Sequence, residues 1–394
     1  MSEMRARGGR PGFTSLPDLA SRRVGGSVVG ASDELFAERE NLITPEPPSY
    51  SAHTFGHKGQ IYDGWETRRR RGAGHDFALI RLGLPGVVSG VVVDTAFFTG
   101  NFPPEISVEG CAVEGYPSPG ELAAADWMPL VPRTAAAGDT ANEYAVSNDR
   151  RMTHVRLVMY PDGGVARLRV HGVVVPDPRL LGGGYLDLAA LANGAQVTGC
   201  SNMFYSSPSN LISPGLARDM GEGWETARRR DDANDWVEIR LAAPGVARLA
   251  ELDTSYFVGN APGWASLQGF DRRGRRDHGD AGGPAGGPAP IPLLPRTRLQ
   301  PDTPHRFRLD PGAEVTDIRL DIYPDGGMAR LRLFATLTGA ARDDLALRWF
   351  NLLPDPHAAA VLAPAGDAGR AALAARPLSS VAQLPAALQA QLRG

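Results

Sequence analysis

The sequence contains only two cysteines, Cys111 and Cys200, among 394 residues. This number is too small for a fold held together by disulfides, so we expect two small buried thiols and a protein of the reducing cytoplasm. The chain also has no apolar run approaching the ~18 residues that a membrane span needs, which excludes a membrane partner. Residues 1–13 are rich in Arg and Gly and have no apolar core, so we expect a disordered lead-in and not a secretory signal.

An excess of charge of one sign is missing as well. The 44 acidic residues nearly balance the 41 basic residues, and the net charge is −3. This balance argues against a nucleic-acid partner. What the chain has in quantity is glycine (47) and proline (33), many of them between short apolar runs. The runs at residues 77–82 and 236–241 are each followed closely by Pro-Gly, which predicts short strands stopped by turns.

The sequence repeats itself. Residues 64–103 and 223–262 align without a gap and are identical at 20 of 40 positions. Residues 160–170 and 323–333, both beginning Tyr-Pro-Asp-Gly-Gly, are identical at nine of eleven positions. A repeat of this length predicts two homologous domains and not a solenoid. Repeat 1 has ten more residues between Ile43 and Gly64 than repeat 2 has between Ile212 and Gly223.

The strand pattern predicts that each repeat is an antiparallel β-sandwich, with the Tyr-Pro-Asp-Gly-Gly strings as hairpin turns. We expect repeat 1 at residues 14–178 and repeat 2 at 179–341. A C-terminal extension at 342–394 is rich in Ala and Leu, so we expect it to be partly helical. The predicted fold class is therefore all-β, with two tandem sandwiches and a partly helical tail.

Several strings of repeat 1 resemble the allantoicase family. They are Asp-Gly-Trp-Glu-Thr-Arg-Arg at residues 63–69, Gly-His-Asp at 74–76, Asp-Thr-Ala-Phe-Phe-Thr-Gly-Asn at 94–101 and Tyr-Pro-Asp-Gly-Gly at 160–164. The resemblance covers about residues 14–350. It implies tandem jelly-roll modules similar to galactose-binding domains, a homo-oligomer, and hydrolysis of allantoate to ureidoglycolate and urea in allantoin and purine degradation. Two alternatives stay open: a ligand-binding β-sandwich protein without catalysis, and a hydrolase of a related ureido acid.

Hydrolysis of allantoate breaks a carbon–nitrogen bond at a carbon that carries a carboxylate and two ureido groups. An Arg fork suits the carboxylate, and an acid–base residue must protonate the departing urea. Candidates present in both repeats are Glu66 and Asp94 as catalytic groups and Trp65, Arg69, Arg70, Asn101 and Arg167 as substrate-binding groups. Each also has an ordinary structural interpretation. Glu66 pairs with an Arg, Asp94 caps a turn, Asn101 adopts a left-handed conformation, and the Arg run forms a solvated face.

Positions that differ between the repeats point to repeat 1 as the copy with acid–base chemistry. Arg68, His75, Glu109 and His154 align with Ala227, Asn234, Gln268 and Asp317. We therefore add His75 and Glu109 to the catalytic candidates and Arg68 and His154 to the substrate-binding candidates. Drift after duplication explains any one of these differences equally simply, and a site shared between repeats or subunits stays open.

A metal site is the remaining question. His53 and His57 lie four residues apart in the ten-residue insertion, which suits chelation on a helix. Gly56 lies between them and no carboxylate or Cys cluster accompanies them, so a mobile loop is the preferred interpretation. We expect no cofactor, with a divalent metal still open.

Replacing His75 with Asn, its counterpart in repeat 2, tests the asymmetry directly. If His75 supplies acid–base chemistry, the variant loses turnover of allantoate and keeps its circular dichroism spectrum and melting temperature. A folded His75→Asn variant with wild-type urea release would remove His75 from the catalytic set.

Overall fold

The computed structural model describes residues 11–51, 54–56, 59–60, 62–273 and 288–393. Both repeats form antiparallel β-sandwiches, as the sequence predicts. The strands of repeat 1 are β1 (Ser27–Ala31), β2 (Phe55–Gly56), β3 (Gly59–Gln60), β4 (Trp65–Glu66), β5 (Asp76–Asp94), β6 (Glu105–Cys111), β7 (Met128–Ala135), β8 (Ala141–Ala145), β9 (Arg151–Tyr160), β10 (Gly164–Val165) and β11 (Arg167–Val174). The strands of repeat 2 are β12 (Leu186–Asp187), β13 (Gln196–Cys200), β14 (Trp224–Glu225), β15 (Asp235–Asp253), β16 (Trp264–Phe270), β17 (Ile291–Arg298), β18 (Pro304–Arg308), β19 (Val315–Tyr323), β20 (Gly327–Met328) and β21 (Arg330–Leu337).

Helices are confined to connections and to the C-terminal extension within the described residues. The α-helices are α1 (Pro119–Ala123), α2 (Gly339–Leu352), α3 (Asp355–Leu362), α4 (Gly366–Ala374) and α5 (Ala386–Arg393). Short 3-10 helices occur at Gly12–Ser15, Arg22–Val24, Arg39–Ile43, Pro178–Leu180, Leu191–Asn193, Pro208–Ile212, Met220–Glu222, Ala363–Ala365 and Val381–Gln383. None of the helices described here is long and apolar enough to cross a membrane.

Strand β5 joins the two layers of the repeat 1 sandwich. Its first part lies between β1 and β9, in a sheet that continues through β6 to β7, and its second part pairs with β11 and β8. The ladder to β9 is interrupted between Arg81 and Gly86, so Pro85 lies where a missing N–H breaks no ladder bond. The predicted stop at Pro-Gly is therefore a bend within one strand. β15 repeats this arrangement, with its ladder to β19 interrupted between Arg240 and Gly245.

The Tyr-Pro-Asp-Gly-Gly strings are not hairpin turns, which corrects the prediction. β9 and β11, on either side of the string, pair with different parts of β5 and belong to different layers. The string therefore crosses from one layer to the other, next to both ends of β5. The Asp76 amide donates to the Pro161 carbonyl at 3.1 Å, and the Ala166 amide donates to the Asp94 carbonyl at 2.7 Å. Bending β5 thus brings its two ends to one edge of the sandwich.

One hydrophobic core runs through both repeats, and a second lies under the C-terminal helices. The partly helical tail is confirmed, although α2 already begins at Gly339, inside the range expected for repeat 2. The second core includes Trp349 and Phe350 together with Val175 at the end of repeat 1. His357 of the tail also hydrogen-bonds Glu114 of repeat 1. The predicted boundaries at residues 178 and 341 otherwise stay predictions.

The expectations for the termini and the cysteines are met only in part. Residues 1–10 of the predicted lead-in lie outside the described residues, but Phe13 is ordered and its ring packs beside Gly90 and His171. Cys111 is buried and Cys200 is half-buried, and both are free thiols. Burial raises the pKa of Cys111 to about 12.

Candidate functional site

Strand β4 places a glutamate at the edge where the two ends of β5 meet. Trp65 and Glu66 pair with Val165 and Gly164 of β10, and their side chains alternate across this short ribbon. Trp65 is fully buried in the core, and its indole N–H donates to the Asp33 carbonyl at 2.8 Å. The predicted substrate-binding role of Trp65 is therefore corrected, because no face of the ring is accessible. Glu66 is left half-buried on the opposite side.

Glu66 has a neutral partner. Asn101, in the loop after β5, donates from Nδ2 to Oε1 of Glu66 at 2.7 Å. Burial raises the pKa of Glu66, and the bond from Asn101 offsets part of that rise. The alternative of a structural pair with an Arg is not what forms. Asn101 does not have a positive φ, so the left-handed conformation considered as its structural explanation does not occur. What Asn101 contributes here is the hydrogen bond of its side chain to Glu66.

An aromatic wall, formed by Tyr50, Tyr62, Phe97 and Phe98, lies beside this pair. Tyr62 stacks on Phe98 with ring centroids 5.3 Å apart, and Tyr50 stacks on Phe97 at 5.5 Å. Phe97 has a φ of 68°, a strained conformation for a bulky residue, and its amide donates to Asp139 at 2.8 Å. The sequence prediction missed this wall. Backbone strain of this kind clusters at functional sites.

Arg167 holds the loop that carries the two tyrosines. Its guanidinium is 1% exposed, donates to the carbonyls of Glu46 at 3.0 Å and Asp63 at 3.1 Å, and forms an ion pair with the Asp63 carboxylate at 2.8 Å. Asp63 in turn accepts from Ser49 at 2.8 Å. The nitrogens of Arg167 are thus committed to the protein, which corrects its predicted contact with substrate.

The four arginines that follow β4, Arg68–Arg71, differ in what they contact. Arg68 pairs with Asp33 at 2.7 Å; in repeat 2 the corresponding Ala227 amide bonds to Asn202. Arg70 pairs with the buried Asp76 at 2.5 Å, a structural contact that corrects its predicted substrate role. Arg69 is exposed, and in the described part of the chain it has no hydrogen bond or ion pair. Arg71 is likewise exposed and has no hydrogen bond or ion pair among the described residues, so Arg69 and Arg71 are the cations of this run that are available to a ligand.

Asp94 caps a turn. Its carboxylate accepts from the Ala96 amide at 2.9 Å, and in repeat 2 Asp253 accepts from the Ser255 amide at 2.8 Å. An aspartate at the end of a strand that bonds an amide two residues later is an Asx-turn. The same contact in both repeats favours the structural interpretation, and the catalytic role of Asp94 stays a prediction.

Glu109 and His154 lie along the sheet and away from the edge that holds Glu66. Glu109 pairs with Arg156 on the neighbouring strand at 2.6 Å. His154 is 2% exposed, and burial together with the charge of Arg81 lowers its pKa to about 4, so the ring is neutral at pH 7. It precedes Tyr160 by six residues in β9, or roughly 20 Å along the strand. These partners and this distance favour structural roles, and the site roles of Glu109 and His154 stay predictions.

His75 stays a prediction. It is exposed just before β5, and its ring centroid lies 5.4 Å from that of Tyr160. Among the described residues, no hydrogen bond or ring contact joins His75 to Glu66 or Asn101. Of the predicted site residues, the structure thus brings together Glu66 and Asn101 and leaves Arg69 free nearby in sequence.

Repeat 2 contains a matching pair without the wall of repeat 1. Asn260 Nδ2 donates to Oε1 of Glu225 at 2.6 Å, and Arg330 is buried against the carbonyls of Gly215 and Glu222. Tyr256 has a φ of 70°, like Phe97. The ten-residue insertion of repeat 1 has no counterpart here.

The question of a metal is not decided by these contacts. In the part of the chain that the structure describes, no three His, Cys, Asp or Glu side chains lie close enough together to share a metal ion. His53 and His57 lie outside the described residues.

Comparisons with known proteins agree on one family. A family model described as the allantoicase repeat matches residues 17–175 and 186–338. A probable allantoicase of Nocardia farcinica is 58% identical over 331 residues, which are 83% of this chain and 96% of the relative, and one of Streptomyces coelicolor is 52% identical over 84% and 88%. A solved allantoicase of Saccharomyces cerevisiae is similar with a TM-score of 0.68 and 31% identity, covering 82% of this chain and 96% of that one. A second solved allantoicase has a TM-score of 0.67 and 32% identity, covering 81% and 92%.

The contrast between Arg167 and Arg69 can be measured. Arg167→Met leaves Asp63 and two loop carbonyls without their partner, so we expect the free energy of unfolding to fall by about 3–5 kcal/mol. Arg69→Met removes an exposed cation, and we expect a change of less than about 0.5 kcal/mol. Chemical denaturation of the two variants checks this. Equal stabilities would contradict the anchoring role of Arg167.

Proposed function

The chain belongs to the allantoicase family of hydrolases, and we propose that it splits allantoate into ureidoglycolate and urea at the Glu66–Asn101 pair of repeat 1. The observation that carries this assignment is the 2.7 Å bond from a neutral amide to a half-buried carboxyl group whose pKa is raised by burial. A carboxyl group of that kind retains a proton closer to neutrality and can return it to a substrate.

Glu66 acts first as an acid and then as a base. Asn101 occupies Oε1, so the transferable proton resides on Oε2. This proton passes to the nitrogen of the departing ureido group as the carbon–nitrogen bond breaks. The electrons of the broken bond leave with urea, and the lone pair of the retained nitrogen stabilises the central carbon as an iminium ion. Water adds to that carbon and gives its extra proton to the Glu66 carboxylate, which completes ureidoglycolate and restores the acid.

Arg69 holds the substrate carboxylate in this proposal. Arg68 and Arg70 are each paired with an aspartate, whereas Arg69 and Arg71 are exposed and unpaired within the described residues, and Arg69 is the one closer in sequence to Glu66. Its planar fork can donate two parallel hydrogen bonds to a carboxylate. His75 is retained as a second acid–base candidate on the repeat 1 side, with the Asn substitution described above as its test.

The test is urea release from allantoate by the purified full chain, with and without a chelator. Glu66→Gln cannot transfer a proton, so we expect kcat to fall roughly 10²- to 10⁴-fold. The matched variant Glu225→Gln changes the corresponding carboxyl group in repeat 2, and we expect it to retain most of the activity. Because the acid must be protonated, kcat/KM falls as pH rises through the pKa of Glu66.

Four outcomes are informative. Urea from the wild type but not from Glu66→Gln supports the assignment. Equal urea from both removes Glu66 as the acid. No urea from folded wild-type protein favours binding without turnover or a different ureido acid, while loss only with chelator makes a divalent metal part of the site.

We further propose that the protein is a cytoplasmic homo-oligomer. Both cysteines are free thiols, as suits a reducing compartment. Met203, Phe204 and Tyr205 of repeat 2 are each more than half exposed, which is typical of a surface that another chain covers. Light scattering should show a multimer for the wild type and smaller species for Phe204→Asp. A wild-type monomer would contradict the proposal, and cell fractionation tests the compartment.

A further inference from the structure

Phe98 forms a fixed platform below the Glu66–Asn101 pair. It is 1% exposed, and two glycines make room for its ring. A Cβ added to Gly64 would lie 2.8 Å from the Phe98 ring, and one added to Gly164 would lie 2.1 Å from it. Gly164 is the strand partner of Glu66. The ring therefore packs against the same two-stranded ribbon from which the Glu66 side chain extends.

Tyr62 lies on this platform. Its ring stacks on Phe98 with ring centroids 5.3 Å apart and ring planes inclined by 28°. The ring centroid of Tyr50 lies 6.2 Å from that of Tyr62. The segment that leads to Tyr62 is held by Arg167 through Glu46, Pro47 and Asp63. Burial raises the pKa of the Tyr62 hydroxyl, and the nearby charge of Glu66 raises it further. The phenol is therefore neutral at pH 7, and its ring stacks on the platform that packs against Gly164, the strand partner of Glu66.

Repeat 2 has the same platform without this tyrosine. Phe257 is buried between Gly223 and Gly327, where added Cβ atoms would approach its ring to 2.8 and 1.9 Å. The gapless alignment from Gly64 and Gly223 puts Gly221 at the position of Tyr62. Glycine supplies no side chain to cover Glu225. The sulfur of Met220 instead lies 3.9 Å from Nδ2 of Asn260.

We propose that Tyr62 is a positioning residue that covers the Glu66 carboxyl group against water, and that Gly221 leaves Glu225 of repeat 2 without this aromatic cover and inactive. This inference rests on the proposed function of Glu66. Removing water from around a carboxyl group disfavours its ionised form, which is the condition that an acid working near neutrality requires. The aromatic ring supplies the cover, so the hydroxyl is dispensable for this effect.

The other groups described around Glu66 do not offer a second way to disfavour its ionised form. Strand β10, its backbone partner, has no titratable side chain. The 3-10 helix Arg39–Ile43 packs against β4, but its Arg39 and Glu40 pair with each other at 3.2 Å. Behind the ribbon, Asp63 is neutralised by Arg167. The second tyrosine, Tyr50, lies beyond Tyr62 on the wall.

The experiment compares Tyr62→Phe and Tyr62→Gly in the full chain, with kcat/KM for urea release measured across pH. Tyr62→Gly copies repeat 2, and we expect the pH above which activity falls to decrease by about one unit, the equivalent of a tenfold change in proton affinity. Tyr62→Phe keeps the ring and should keep the wild-type pH profile. Thermal melts of both variants establish that each is folded.

The outcomes separate this inference from the proposed function. If Glu66→Gln is inactive while Tyr62→Gly has a wild-type pH profile, Tyr62 does not cover the acid and only the inference fails. If Tyr62→Phe shifts the profile as far as Tyr62→Gly, the hydroxyl and not the ring is responsible, which overturns it as well. If Glu66→Gln is fully active, the proposed function of Glu66 fails first.

Discussion

A buried positive charge is the constraint on which the site depends. The Arg167 guanidinium, removed from water at the start of β11, must find acceptors within the protein, because an unpaired buried charge is strongly destabilising. It finds them in the carbonyls of one surface segment and in the carboxylate of Asp63. Glu46, Pro47 and Asp63 are thereby held at the sandwich edge, and Tyr62, the neighbour of Asp63, stacks on Phe98 in the wall beside Glu66. In repeat 2 the buried Arg330 finds its acceptors in the carbonyls of Gly215 and Glu222, which belong to a shorter segment. The same need to pair a buried arginine therefore produces a different surface in the two repeats.

The course of β5 explains why this edge gathers so many groups. β5 bends at Pro85 and continues in the other layer. Its first residue, Asp76, and its last residue, Asp94, therefore both lie beside the Tyr-Pro-Asp-Gly-Gly segment that crosses between the layers. The loops before Asp76 and after Asp94 then lie next to each other. Glu66 comes from the first loop and Asn101 from the second, so their hydrogen bond joins segments 35 residues apart in sequence. A rigid sandwich thus positions a pair that neither loop could hold alone.

The internal repeat made the two β-sandwich domains predictable from sequence, because each apolar run occurs twice. The turns were not predictable in the same way, because the Pro-Gly pairs bend one long strand and the Tyr-Pro-Asp-Gly-Gly strings cross between layers. The repeat was a weaker guide to the site. Trp65, Arg70, Asp94 and Arg167 recur in repeat 2 because both copies need the same core ring, ion pair, cap and anchor. Glu109 and His154 differ between copies, yet strand register places them opposite Arg156 and Cys111, and register is not visible before pairing is known. Tyr62 was missed because it borders the insertion, where repeat 2 offers no similar residue for comparison.

The distribution of arginines around Glu66 has an electrostatic consequence. A cation beside the carboxyl group would lower its pKa and leave it ionised, unable to act as an acid. Arg68 and Arg70 are instead committed to Asp33 and Asp76, and Glu66 receives a neutral amide. In the proposed complex the charge of Arg69 is neutralised by the substrate carboxylate, so binding adds no net positive charge near the acid. In the proposed mechanism this arrangement favours the protonated form of Glu66 when the leaving nitrogen needs its proton, and the substrate itself completes the neutral environment.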